Sequence, residues 1–183
     1  MKSTLVSSEV ASPYAEALMS LADAGSLVDQ LGAEVRELAA LLEGSPELQA
    51  LAANPVLAAD KKKAVLQAIT ADAHPYLRNF LMLLADKRRI VFLPEICDAF
   101  LALVRKRKNI ELAEVTSTVE LTEEQQATVK EKVKALTGAS EVELKTAIDP
   151  SLIGGLIVKV GSQILDASLR GQLRRVSLNL GVA

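Results

Sequence analysis

Apolar side chains recur at steps of three and four from Ser12 to about Lys106, and the residues between them divide this stretch into short predicted helices. Pro13 suits the first position of a helix, Gly25 its end and Ser26 the cap of the next. Val28, Leu31, Val35, Leu38 and Leu42 then share one side of a second helix that Gly44 stops. Ser45-Pro46-Glu47 opens a third, closed by Asn54-Pro55. Asp60 caps a fourth, running through Lys61, Lys62, Lys63, Val65 and Ile69. Pro75 and Pro94 open two more. The last of these buries Leu93, Ile96, Phe100 and Leu103 and ends near the basic run Arg105 to Lys108, where cations complement a helix C-terminus.

After Asn109 the period changes from helical to alternating, so a second domain is expected to begin there, with residues 1–108 in the first and 109–183 in the second. Ala113, Val115, Val119 and Leu121 are placed on one face of a strand. Thr122-x-x-Gln125 reads as a capping box for a helix carrying Val129, Val133 and Leu136 and ending at Gly138. Val142, Leu144, Thr146 and Ile148 alternate as a second strand. Asp149-Pro150 turns the chain, and Leu156, Val158 and Val160 form a third strand. Gly161-Ser162 suits a two-residue hairpin into a fourth strand around Ile164 to Asp166. Ser168 caps a final helix with Leu169, Leu173, Val176 and Leu180 on one stripe. A strand, helix, strand opening implies a parallel crossover, so the expected class is α+β: a helical bundle, then a small α/β domain with a mixed sheet of about four strands.

Composition changes this picture in one respect. Half of the residues are hydrophobic but only 3% are aromatic, with no Trp, so the core must be built of Ala, Leu, Val and Ile packed closely. Lys+Arg 21 against Asp+Glu 23 gives a net charge of -2, which provides no global attraction for nucleic acid or an anionic membrane. No secretory signal or transit peptide is visible near Met1, and no apolar run approaches the roughly 20 residues of a membrane span.

Candidate chemistry is sparse. One histidine, His74, stands at a helix start, and one cysteine, Cys97, sits in an apolar run as a buried small hydrophobe. Together they cannot supply a zinc site, and a Ser-His-Asp arrangement would have to use His74 at a helix entry, with no nucleophile elbow in the sequence. Gly154-Gly155 lacks the Lys-Ser or Lys-Thr pair and the following helix of a phosphate loop, so structural glycines are expected. Arg105 to Lys108, Lys61 to Lys63 and Arg174-Arg175 have no interleaved aromatics and read as solvated faces. A nucleic-acid module or a small-molecule enzyme using His74 or Cys97 are the rival readings. A salt-dependent gel shift, or loss of activity on replacing both residues, would reveal them. No catalytic residue, metal or cofactor is expected.

The first helix is apolar on two sides. Tyr14, Leu18 and Leu21 form one stripe, and Ala11, Ala15, Met19 and Ala22 an adjacent one. Either the helix is packed on both sides, or its small residues line a groove for a foreign helix.

Val10-Ala11-Ser12-Pro13-Tyr14-Ala15-Glu16-Ala17-Leu18, Asn79 to Ile90 and Ile148-Asp149-Pro150-Ser151-Leu152-Ile153-Gly154-Gly155-Leu156, continued by Val160-Gly161 and Asp166 to Leu173, occur in an order that resembles the delta subunit family of F-type ATP synthase, called the oligomycin-sensitivity-conferring protein in mitochondria. Ser12, Met19 and Ser162 depart from the pattern. The resemblance implies a six-helix bundle that receives N-terminal helices of alpha subunits and a C-terminal domain that holds the b-type stalk, one copy per complex. Such a protein is a non-catalytic stator adaptor, peripheral to a bacterial plasma membrane or thylakoid on its cytoplasmic face. On that basis Tyr14, Ala15, Leu18, Met19 and Ala22 are placed in a groove facing Phe80, Leu83 and Leu84. Gly154, Gly155, Leu169, Leu173 and Val176 are placed against the stalk.

Overall fold

The computed structural model describes residues 2–54, 57 and 59–173. The chain divides into two compact units, residues 1–104 and 105–183. In the first lie α1 (Lys2–Ala24), α2 (Val28–Gly44), α3 (Pro46–Ala53), α4 (Ala59–Ile69) and α5 (Pro75–Asp86). A 3₁₀ turn, Ile90–Phe92, leads into α6 (Leu93–Lys108), whose last residues, from Arg105, group with the second unit.

Pro13 does not open α1. The helix begins at Lys2 and holds Pro13 in its interior. A proline there removes one ladder donor and disfavours the helix by about 3 kcal/mol, a penalty that solvent moderates because Pro13 and Glu9 are both exposed. Nor does Ser26 cap α2, whose N-cap is Leu27 without a side-chain hydrogen bond. Ser26 instead terminates α1: its φ is +53°, Leu27 N–H reaches Ala22 O at 2.8 Å and Ser26 N–H reaches Asp23 O at 3.2 Å. This is the Schellman arrangement, with serine where glycine is usual. Arg88 ends α5 in the same way at φ +55°. Ser45 caps α3, Thr122 and Gln125 close a complete capping box, and Asp60 falls inside the first turn of α4.

The stripe predicted for α2 is the one buried: Leu31, Val35, Leu38 and Leu42 meet Leu18, Leu66, Leu81 and Phe100 in a single core. Gly32 is buried against Val104.

The second unit contains β1 (Ile110–Ser117), α7 (Glu123–Thr137), β2 (Glu141–Ile148), β3 (Leu156–Val160) and β4 (Gln163–Asp166) in the order β2-β1-β3-β4. β1 and β2 are parallel, with Ala113 opposite Leu144, and the other pairs are antiparallel, so the sheet is mixed. Val129 and Val133 of α7 pack on Ala113, Val115, Val142, Val158 and Val160. Three expected core residues are outside this core: Val119 lies beyond the end of β1, and Leu136 and Ile148 are exposed. α7 covers β1 and the first part of the edge strand β2, leaving β2 exposed from Lys145 to Ile148.

Candidate docking faces

On α1, from Glu9 onward, the buried positions are Ala11, Ala15, Leu18, Met19 and Ala22. The small-residue stripe, with Leu18, is therefore core, and its close spacing serves the bundle itself. Phe80 and Leu84 of α5 are buried likewise. Of the eight residues placed in a groove, six belong to the core; Tyr14 is half-buried and Leu83 is 47% exposed. The correction has a plain cause. Burial of α1 on α2 and α5 uses the side of lowest bulk, because small side chains let helix axes approach closely.

What remains outward on α1 is a different stripe. Pro13, Ala17, Leu21 and Ala24 recur at steps of four, four and three on its exposed side, with Leu21 47% exposed. Tyr14 stands between the two faces, and its ring meets Phe80 edge-on at a centroid distance of 6.5 Å. The α1 and α5 seam thus has an aromatic floor, with exposed apolar side chains on both helices: Ala17 and Leu21 on one, Tyr76 and Leu83 on the other. Pro13 and Ala17 were not singled out by the sequence because an outward stripe of small residues carries little hydrophobic signal.

In the second unit the Gly154-Gly155 pair is structural. Gly155 has φ +80°, and a Cβ there would meet the Ala167 carbonyl and lie 2.9 Å from Ser168 Cα. Bare backbone lets the segment after β4 cross here: Leu169 N–H donates to Gly154 O at 2.9 Å and Ala167 N–H to Leu156 O at 3.0 Å. Asp166 Oδ1 accepts from Ser168 N–H at 2.9 Å and from its hydroxyl at 2.6 Å, and Ser168 Oγ accepts from Gly171 N–H at 3.0 Å. The predicted Ser168 cap is present and starts a helical segment, 169–173. Leu169 and Leu173 are exposed on it, and Val176 lies outside the described residues. On the other side of the loop, Asp149 accepts from Ser151, whose hydrogen bonds, with the charge of Arg170 adding to them, hold its carboxyl below the usual range.

The two candidate reactive residues have structural roles. His74 caps α5, its Nδ1 accepting from Tyr76 N–H at 3.2 Å, while its own N–H donates to Glu34 at 3.0 Å. Cys97 is buried, and burial, with the nearby charge of Asp98, pushes its thiol up to about 12. Among the described residues no three His, Cys, Asp or Glu side chains converge on a metal position, and no helix is long and apolar enough to cross a membrane.

Two units with separate cores, each showing exposed apolar side chains on a helix, fit the class of proteins that dock other proteins. The family model for the ATP synthase delta (OSCP) subunit matches residues 10–180. The chain is 55% identical over 182 residues to ATP synthase subunit delta of Gloeothece citriformis, covering 99% of both chains. It is 55% identical over 184 residues to that of Thermosynechococcus vestitus, covering 100% of both. Its fold is similar to that of a chain in the mitochondrial ATP synthase hexamer of Toxoplasma gondii, at 22% identity and TM-score 0.76, covering 94% of this chain and 98% of that one. The chain belongs to the ATP synthase delta (OSCP) subunit family. It is therefore a structural, non-catalytic part of the stator of F-type ATP synthase, associated peripherally with the membrane complex.

Proposed function

We propose that the exposed seam of α1 and α5 receives an apolar helix from the N-terminus of an alpha subunit, and that the exposed leucines after β4 hold the b-type stalk. A stator must join the catalytic head to the stalk, and a chain with two independently packed units has one for each. The observation that carries the reading is the outward α1 stripe, Pro13, Ala17, Leu21 and Ala24, beside the edge-on Tyr14 and Phe80 pair. It is an apolar surface that the bundle's own helices leave uncovered. We place it on the cytoplasmic face of a plasma membrane or thylakoid, in one copy per complex, as the family resemblance implies.

Ala15 is fully buried, so Ala15→Asp would place a charge in the core and test folding instead of docking. Leu21→Asp and Leu83→Asp are the suitable variants, because both side chains are exposed. Each large apolar anchor contributes about 1.5–3 kcal/mol when covered, so each variant should weaken an alpha N-terminal peptide at least about tenfold in calorimetry. Circular dichroism should stay unchanged. Equal affinity for both variants and the unmodified chain would remove the seam as the docking face.

For the stalk, deleting the chain from Ser168 onward would also remove the Leu169 N–H donor to Gly154 O and the two donors that Ser168 gives to Asp166 Oδ1, so point substitution is cleaner. Leu173→Asp should reduce co-purification of b-type subunits while leaving alpha-peptide binding intact. Undiminished co-purification would place the stalk contact elsewhere.

A further inference from the structure

A second groove lies on the first unit, away from the α1 and α5 seam. Two adjoining cavities of about 320 and 210 Å³ share Leu41 of α2 and Ile69 of α4 in their walls. Leu41 is 51% exposed and Ile69 37%, while Leu38, behind them, is core. Along α2 and its C-cap the walls include Glu34, Leu38, Leu41 and Ser45, at steps of four, three and four, so the groove follows one side of that helix for about three turns. This length and apolar floor suit a helix laid along it.

The rim specifies the charge of that helix. Glu34, Glu37 and Asp72 line one cavity and Glu47 the other, and no Lys or Arg is among the described residues lining either. Glu34 is held in place by bonds from His74 N–H at 3.0 Å and Gln30 Nε2 at 3.0 Å. We infer that the groove between α2 and α4 is a second docking site, for an amphipathic helix whose apolar stripe lies on Leu41 and Ile69 and whose flanking positions are Lys or Arg. An acidic helix would meet three carboxylates at one end and be rejected.

Labelling tests this in the assembled complex. Leu41→Cys and Ile69→Cys each add one surface thiol, and Cys97, buried in the core, stays silent to a maleimide at neutral pH. Both added thiols should react freely in the isolated chain and about tenfold or more slowly in the complex. A cross-linker attached at position 41 should capture a helical, Lys- or Arg-rich segment of another subunit. Glu37→Gln combined with Asp72→Asn should lessen the protection. Leu83→Cys, on the first seam, separates the two readings. Protection at 83 with full reactivity at 41 and 69 would overturn the second groove and retain the first. Capture of an acidic segment, or of a second copy of this chain, would overturn it as well.

Discussion

Ile148-Asp149-Pro150-Ser151-Leu152-Ile153-Gly154-Gly155 shows at residue scale how two neighbouring glycines differ. A Cβ at Gly154 would press on Leu169 Cδ1, the mobile end of an exposed side chain, whereas at Gly155 it would meet main chain at a left-handed φ. Gly155→Ala should therefore destabilise the second unit by at least about 2 kcal/mol, and Gly154→Ala by less than about 1 kcal/mol, as read from urea unfolding. At Cys97 the folded state keeps the proton that the unfolded chain releases near pH 9. A pKa raised to about 12 means stability is fully present below pH 9 and declines as pH rises from there toward 12. Cys97→Ala should remove that alkaline decline, seen by comparing denaturation midpoints at pH 8 and 10. The burial of Cys97 and the helix-start position of His74 were legible from sequence, in the apolar run around the one and the proline after the other.

For the elements, local chemistry and tertiary packing divided the work. The capping box of α7 was readable because both partners are local, and Thr122→Ala should lower the stability of the second unit by about 1 kcal/mol in the same unfolding measurement. Helix α1 was less readable. Its two apolar stripes were visible, but which one the bundle takes depends on the shape of α2 and α5, and the bundle took the stripe of Ala11, Ala15, Met19 and Ala22. Pro13 misled for a related reason: its preference for a first turn is local, whereas the eleven residues before it are helical despite that preference. On β2, perfect alternation overstated burial because an edge strand is covered only as far as α7 reaches.

Over the whole molecule, two cores predict two unfolding events. Tyr14 and Tyr76 are the only tyrosines, the chain has no Trp, and both belong to the first unit. Gly155→Ala should leave the urea midpoint of tyrosine fluorescence in place while shifting part of the circular dichroism change to lower urea. A fluorescence midpoint that moved equally would mean that the units unfold as one. The sequence by itself determined most of the elements, the mixed sheet and the family resemblance, because periodicity, caps and ordered motifs are written along the chain. Only the tertiary structure decided which apolar residues are interior and which face outward: it buried Ala15 and Leu84, exposed Leu21 and Leu83, and joined Leu41 to Ile69 across α2 and α4. Exposure depends on neighbours brought together by folding, and hydrophobicity alone is the same for a side chain that closes a core and for one that awaits a partner.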